Sequence, residues 1–187
     1  EIKNHEYRVG LAPSSVRELV THGHQVIIES NAGIGIGAQD QIYQEAGAKL
    51  STDPAEIFGV AEMIVKVKEP QKQERAMLRD GQILFTYLHL APDPEQTTDL
   101  VNSGAVCIAY ETVTSPMGGL PLLAPMSKVA GRMSVQAGAH CLEHTHGGLG
   151  ILIGGVPGVD PAKVVILGCG VVGTHASQIA VGMGADV

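Results

Sequence analysis

The chain has 187 residues, of which 44% are hydrophobic but only 3% aromatic, so one or two domains must build their cores from aliphatic side chains. The net charge of −7 and the lack of a basic cluster argue against binding to nucleic acid or to a membrane surface. No apolar run reaches the roughly 18 residues of a spanning helix, and three widely spaced cysteines predict free thiols in a reducing compartment, by default the cytoplasm.

Strands and helices alternate along the first two thirds of the chain. Ser15 and Glu18 have capping-box spacing, which predicts a first helix that ends at Gly23. The elements predicted after it are a strand at 26–28, a helix at 40–46, a strand at 63–67, a helix at 71–79, a strand at 83–88, a helix at 93–101 and a strand at 105–110. The strands are continuous apolar runs, typical of a parallel sheet covered on both faces. We therefore expect an α/β fold, with a doubly wound, Rossmann-like parallel sheet forming a substrate domain in residues 1–125.

Residues 126–187 are predicted to hold an interdomain helix and the first βα unit of a Rossmann nucleotide-binding domain. The helix covers residues 126–146, although Gly131 and Gly138 weaken it. Ser127 is a candidate cap for this helix, or alternatively a residue that faces a cofactor.

The strand predicted at 164–167 leads directly into Gly168-Cys169-Gly170-Val171-Val172-Gly173, and an apolar helix follows. This order is the dinucleotide-binding fingerprint in its proper context. Gly168 permits a tight turn, Gly170 the approach of a pyrophosphate, and Gly173 close packing of helix on strand. The helix N-terminus then offers its free N–H groups to phosphate.

Polar side chains follow two of the predicted strands, at the edge where ligands of open parallel sheets bind. Lys68 follows strand 63–67 and supplies a compact charge for a carboxylate. His89 follows strand 83–88 and can pass protons, and Arg8 can fork onto a carboxylate. The structural alternatives are a solvated strand end for Lys68, a loop cap for His89 and a surface ion pair for Arg8.

Histidines cluster near the end of the long helix. His140 and His144 are spaced i, i+4, which suits a metal ion, but no Glu is placed as in His-Glu-x-x-His. We therefore predict an exposed or interface helix end there, and no metal site. Cys169 is predicted to be a small packing residue rather than a nucleophile.

Five segments are distinctive in combination: 66–70 (Lys-Val-Lys-Glu-Pro), 85–91 (Phe-Thr-Tyr-Leu-His-Leu-Ala), 109–113 (Ala-Tyr-Glu-Thr-Val), 120–127 (Leu-Pro-Leu-Leu-Ala-Pro-Met-Ser) and 154–159 (Gly-Gly-Val-Pro-Gly-Val). Together they resemble the bacterial L-alanine dehydrogenases over essentially the whole chain. The nicotinamide nucleotide transhydrogenases are similar in plan but differ in the first two segments. The resemblance implies reversible oxidative deamination of L-alanine with NAD to pyruvate, ammonium and NADH, in a homohexamer.

The same resemblance implies roles for individual residues. Arg8 and Lys68 would bind the substrate carboxylate, and His89, with Lys68 beside it, would act as the catalytic acid and base. Met126 and Ser127 would lie near the nicotinamide. The pyrophosphate would be bound by the glycine-rich turn, at Gly168, Gly170, Val171, Val172 and Gly173.

The acidic residue that holds the ribose is expected about 20 residues beyond the glycines, past Val187, together with a catalytic aspartate of the family. We therefore expect the 187-residue chain alone to bind NAD weakly and to show no turnover. The choice between NAD and NADP also depends on sequence past Val187. Two alternative functions are a transhydrogenase-type hydride-transfer subunit, which would need a membrane partner, and a non-catalytic, truncated nucleotide-binding or interaction module.

Overall fold

The computed structural model describes residues 1–187, which divide into two compact units, residues 1–113 and residues 114–187. In the first unit, short strands alternate with helices. The strands are β1 (Ile27–Glu29), β2 (Lys49–Ser51), β3 (Met63–Val65), β4 (Ile83–Thr86) and β5 (Val106–Ala109). The helices are α1 (Pro13–Thr21), α2 (Asp40–Glu45), α3 (Pro54–Val60), α4 (Lys72–Arg75) and α5 (Pro94–Ser103).

Every strand pair of the first unit is parallel. β1 pairs with β2, while β3, β4 and β5 lie side by side in chain order. Ile64 of β3 lies opposite Leu84 of β4, which lies opposite Cys107 of β5. This parallel α/β arrangement confirms the predicted fold class, because parallel neighbours require the helical crossovers that the sequence indicated.

Two elements were missed by the sequence analysis, β2 and α3. β2 has only three residues and contains no apolar run, so periodicity could not detect it. α3 did carry a signal: Pro54 occupies its first turn, and the carboxylate of Asp53 accepts a hydrogen bond from the N–H of Ala55 at 2.9 Å.

Two hydrophobic cores stabilise the first unit. In one, α1 and α2 pack on β1 around the fully buried Val16 and Tyr43, whose hydroxyl donates to the carbonyl of Leu11 at 2.9 Å. In the other, Leu84 of β4 and Leu100 of α5 are buried with their neighbours. Each fully buried aliphatic side chain stabilises the fold by about 1.5–3 kcal/mol.

The predicted capping box of the first helix is wrong. α1 begins at Pro13, with Ala12 as its N-cap and no capping side chain, so Ser15 lies inside the first turn. Proline suits the first helical position because it has no N–H to leave unpaired there and its φ is already close to the helical value. The helix predicted at 71–79 is also shorter, since α4 ends at Arg75.

In the second unit, α6 (Ala124–Leu142) packs against α7 (Val171–Gly182). The two helices meet at the buried Gly131, where a Cβ would lie 2.3 Å from the carbonyl oxygen of Val172. Gly131 thus permits close helix packing, a role that outweighs its low helix propensity.

Two sequence predictions in the second unit are wrong. Ser127 does not cap α6: the helix begins three residues earlier with Leu123 as N-cap, and the Ser127 hydroxyl donates to the Leu123 carbonyl at 3.4 Å. The strand predicted at 164–167 is not formed, because only Lys163 pairs with another strand-like residue, Asp186. A strand requires a hydrogen-bonded neighbour along its length.

None of the helices combines the length and apolar character that a membrane crossing requires.

Candidate functional site

Hydrogen bonds between β3 and β4 continue past the carboxyl ends of the two strands. The N–H of Tyr87 donates to the carbonyl of Val67 at 3.1 Å, and the Thr86 hydroxyl donates to the carbonyl of Lys68 at 2.9 Å. Lys68 and His89 therefore follow neighbouring parallel strands at one edge of the sheet. This is the edge at which open parallel sheets bind ligands.

His89 adopts an unusual backbone conformation, with φ of +49°. Its N–H donates to a carboxylate oxygen of Glu111 at 2.7 Å, and the N–H of Leu88 donates to the same carboxylate at 3.1 Å. Glu111 follows β5, so a carboxylate from the next strand fixes the turn that presents the exposed His89. Backbone strain held in this way is concentrated at functional sites in proteins. Sequence reasoning missed Glu111, although an acidic residue just after a predicted strand is a signal of the same kind as Lys68.

Arg8 is held by Glu6 through three hydrogen bonds. The Arg8 Nε and Nη2 donate to the two Glu6 oxygens at 2.8 and 2.6 Å, and the Arg8 N–H donates at 2.9 Å. These bonds lower the pKa of Glu6 and raise that of Arg8. The Lys68 ammonium also favours the ionised form of Glu6, so two cations act on one carboxylate.

The segment that ends in Lys68 rests on buried ionic groups. The carboxylate of Glu1 accepts hydrogen bonds from the N–H groups of Val67 at 2.6 Å and Lys68 at 3.2 Å. Lys66, two residues earlier, is buried and pairs with Glu74 at 2.6 Å and with Glu1 at 3.7 Å. Lys66 therefore has a structural role, and the backbone of Lys68 is fixed by its neighbours.

Glu69 adds a further carboxylate beside Lys68. Burial raises the pKa of Glu69, but hydrogen bonding to Lys3 and the charges of Lys3 and Lys68 lower it more, so the net shift is downward. The residue following Lys68 thus stays ionised and adds negative charge to the surroundings of that ammonium.

Aromatic rings pack against one another at the carboxyl ends of β4 and β5. Tyr110 lies edge-on to Phe85 and Tyr87, with ring centroids 4.2 and 4.8 Å apart. Burial raises the pKa of Tyr110 to about 12, so its phenol is neutral in the physiological range. Such edge-to-face contacts stabilise the strand ends beyond simple burial.

A cavity of about 260 Å³ adjoins Arg8, lined among others by Glu6, Glu29 and Asn31. Gly35 allows the chain to approach closely here, since a Cβ at this position would lie 2.1 Å from the carbonyl oxygen of Tyr7. Lys68 and His89 do not line this cavity.

The glycine-rich turn of the second unit has the geometry that a phosphate site requires. Gly168 has φ of +102°, and Gly170 is the N-cap of α7. A Cβ at Gly173 would lie 2.2 Å from the carbonyl oxygen of Gly168, whereas one at Gly168 or Gly170 would meet nothing within 4 Å. The space beside these two glycines is therefore open. A cavity of about 680 Å³ adjoins Gly168 and Cys169, but residues 170–173 do not line it.

The first intrahelical bond of α7 runs from the N–H of Thr174 to the carbonyl of Gly170 at 2.9 Å. The N–H groups of the residues before Thr174, at Val171, Val172 and Gly173, point out of the helix end. These groups fit a pyrophosphate, which needs several N–H donors and no intervening side chain. Met126 and Ser127 lie elsewhere in this unit, partly buried in the first turn of α6.

The fold and these sites define the class of the protein, which is a parallel α/β protein. Its first unit carries cationic side chains near the carboxyl ends of its strands, and its second unit carries a Rossmann-type glycine-rich turn. The family model described as alanine dehydrogenase/PNT, N-terminal domain, matches residues 1–130. The model of the C-terminal domain of the same family matches residues 134–187. The chain belongs to the alanine dehydrogenase/PNT family, which implies a pyridine nucleotide cofactor.

Individual relatives agree with this assignment. The whole chain is 60% identical to an alanine dehydrogenase of Halomonas elongata and 52% identical to one of Bacillus subtilis, covering 50% and 49% of their lengths. A solved L-alanine dehydrogenase aligns with 99% of the chain at 57% identity and a TM-score of 0.90, and 51% of that structure is covered. A transhydrogenase from Sinorhizobium meliloti aligns with 99% of the chain at 27% identity and a TM-score of 0.76, with 53% of it covered. The chain thus spans about half the length of the relatives it matches, and the predicted family resemblance is confirmed.

Proposed function

We propose that this chain is part of an oxidoreductase that catalyses the reversible, NAD-dependent oxidative deamination of L-alanine to pyruvate and ammonium. The proposal rests on the side chains that the first unit carries at its strand ends: Lys68 and His89 follow the neighbouring parallel strands β3 and β4. Arg8 of the same unit is held by hydrogen bonds to Glu6. An enzyme acting on a small amino acid must hold its substrate chiefly by the carboxylate. The relatives with 52–60% identity that are named alanine dehydrogenase support the same reaction.

In the proposed mechanism, Arg8 and Lys68 bind the carboxylate of L-alanine. Glu6 holds the guanidinium in a fixed plane through its hydrogen bonds to Nε and Nη2. A fixed guanidinium loses little freedom when a carboxylate binds, so more of the interaction energy appears as affinity. Two cations also offset the negative charge that the nearby carboxylates would otherwise present to the substrate.

A pyridine nucleotide held at the glycine-rich turn would supply the acceptor for the hydride of the L-alanine α-carbon. Loss of the hydride from the neutral amine leaves an iminium, to which water adds. The protonated nitrogen then leaves as ammonia while the hydroxyl group loses its proton to form the carbonyl of pyruvate, and the ammonia takes up that proton to become ammonium. His89 accepts the proton of the attacking water and donates a proton to the leaving nitrogen. The Lys68 ammonium stabilises the negative charge that develops on the oxygen during these steps.

We assign the cofactor to the glycine-rich turn of the second unit. Gly168, Gly170 and Gly173 would shape the pyrophosphate site, and the N–H groups of Val171 and Val172 would donate to its oxygens. Met126 and Ser127 would lie beside the nicotinamide ring. The open space beside Gly168 and Gly170 supports this assignment. NAD, rather than NADP, is the proposed nucleotide.

We further propose a cytoplasmic homohexamer whose partners are small molecules: L-alanine, pyruvate and ammonium. Free thiols at Cys107, Cys141 and Cys169 support a reducing compartment. The hexamer is carried over from the family.

The deciding experiment follows NADH formation by the intact gene product, supplied with NAD and L-alanine, with D-alanine as the comparison. We expect turnover with L-alanine only, and none from the 187-residue chain by itself. An intact protein that transfers hydride between the two pyridine nucleotides, yet never oxidises L-alanine, would instead support the transhydrogenase function. An intact protein with neither activity would support the non-catalytic module.

A further inference from the structure

Three potential metal ligands meet at the C-terminal end of α6, and the proposed mechanism uses none of them. His140 lies in the last turn of the helix, Glu143 is its C-cap, and His146 ends a 3₁₀ turn at His144–His146. The N–H of His146 donates to the carbonyl of Glu143 at 3.0 Å, and Gly147 follows with φ of +82°. The chain therefore turns back on the helix and brings His146 onto His140, with ring centroids 3.8 Å apart.

The carboxylate of Glu143 lies beside the Nδ1 atoms of both imidazoles. His140 Nδ1 is 3.6 Å from Glu143 Oε1, and His146 Nδ1 is 3.1 Å from Glu143 Oε2. One ligand atom from each residue lies within 4.8 Å of the other two. Ligand atoms bound at about 2.0–2.2 Å to a tetrahedral ion are about 3–4 Å apart, so small side-chain rotations suffice to close the set.

We propose that His140, Glu143 and His146 form a binding site for a divalent transition metal ion such as Zn²⁺, Ni²⁺ or Cu²⁺. Imidazole nitrogen selects these ions over Mg²⁺ and Ca²⁺, which prefer a shell of oxygen ligands. The carboxylate offsets part of the charge of the ion, and the partial negative charge of a helix C-terminus favours a cation. All three side chains are exposed, so an ion reaches them from solvent and completes its coordination with water.

This set differs from the pair that the sequence suggested. The i, i+4 spacing of His140 and His144 places two side chains on one face only within a continuous helix, and α6 ends at Leu142. The turn instead makes His146 the partner of His140. His144 lies in the same exposed turn but outside the set of three, which makes it a matched control.

A bound ion would connect the last turn of α6 to the 3₁₀ turn after it. Its ligands all belong to the second unit and lie outside the glycine-rich turn. The metal site and the proposed oxidation of L-alanine can therefore be tested independently, because either proposal can be wrong while the other is right.

The test titrates the intact, tag-free protein, freed of metal by a chelator, with Zn²⁺, Ni²⁺, Cu²⁺ or Mg²⁺ chloride in a calorimeter. We expect one transition metal ion per chain and no binding of Mg²⁺. Removing even an outer partner of a metal ligand costs about 10–100-fold in affinity, so His146→Gln and Glu143→Gln should each weaken binding at least about tenfold. His144→Gln should leave the affinity unchanged.

Spectra of the Cu²⁺-loaded protein provide a second measurement. Electron paramagnetic resonance should show coupling to two imidazole nitrogens in the wild type and to one in His146→Gln. Circular dichroism confirms that each variant is folded, as expected for exposed positions. Equal affinity in the wild type and His146→Gln, or an equal loss in His144→Gln, would overturn the site.

Discussion

The ammonium of Lys66 lies 2.6 and 2.7 Å from the two carboxylate oxygens of Glu74, and the side chains are only 8% and 10% exposed. The same carboxylate accepts a hydrogen bond from the N–H of Gln71 at 2.7 Å, which ties the start of α4 to the end of β3. Lys66 precedes Lys68 by two residues, so this pair anchors the segment that carries the proposed carboxylate-binding ammonium.

Removing the negative charge of this buried pair should destabilise the first unit. In Glu74→Gln, Lys66 keeps only the more distant Glu1 as a charged partner, at 3.7 Å. Breaking a buried ion pair costs about 3–5 kcal/mol, so the urea midpoint should fall markedly. Lys72→Gln, which breaks an exposed pair with Glu95, is the control and should leave the midpoint nearly unchanged. Equal midpoints for Glu74→Gln and wild type would show that the buried pair adds no stability.

Replacement of His89 should affect catalysis rather than folding. We expect His89→Ala in the intact enzyme to lower kcat for L-alanine oxidation by about 10²–10⁴-fold, the usual contribution of a positioned acid–base group. His89→Asn should lose as much activity while tolerating the left-handed backbone, which asparagine adopts readily. His24→Ala, at an exposed position, is the control. Near-normal kcat in both His89 variants would remove the histidine from the mechanism.

The ion pair between Glu6 and Arg8 should make the free energy of unfolding depend on pH. Hydrogen bonding to Arg8 lowers the pKa of Glu6 below its ordinary value of 4.5. The ionised carboxylate therefore adds stability that is fully present above pH 4.5 and is lost as the pH falls through the lowered pKa. Urea unfolding at about pH 7 and about pH 3 should show a difference between wild type and Glu6→Gln that shrinks in acid.

The control for this experiment is Glu18→Gln, at an exposed position of α1. This substitution should change the free energy of unfolding only slightly at both pH values. A difference between Glu6→Gln and wild type that stays constant with pH would contradict the linkage.

Two glycines of the same helix should respond oppositely to alanine. A Cβ at Gly131 would lie 2.3 Å from the backbone oxygen of Val172, so Gly131→Ala must push α6 away from α7, at a cost of about 1–3 kcal/mol. A Cβ at Gly138 meets nothing within 4 Å, so Gly138→Ala should stabilise the helix by up to about 1 kcal/mol. Urea unfolding of both variants checks the prediction, and a stable Gly131→Ala would contradict the close packing of the two helices.

The alternation of strands and helices was predictable because apolar runs bounded by glycine and proline carry a local signal. β3, β4 and α5 were located in this way. Helix starts were harder, since Pro13 began α1 without a capping side chain and Ser127 lay inside α6. A capping motif in the sequence offers a hydrogen bond, but the tertiary contacts of the segment decide where the helix begins.

The site could be predicted only in part. Lys68 and His89 were identified because both follow apolar strands, and their shared pocket stays a prediction. Glu1, Glu74 and Glu111 were missed, since each acts through a partner at least eight residues away. Nothing in a local sequence pattern indicates which carboxylate meets which distant N–H group.

The sequence by itself determined the parallel α/β class, the glycine-rich turn and the family, because periodicity and motifs depend on residues that are close along the chain. Tertiary structure decided that Lys66 is structural, that Glu6 holds Arg8, and that His146 rather than His144 joins His140. These outcomes depend on how turns and strand ends bring distant charges together. Burial then sets the strength of each contact, because a charge removed from water must find its partner within the fold.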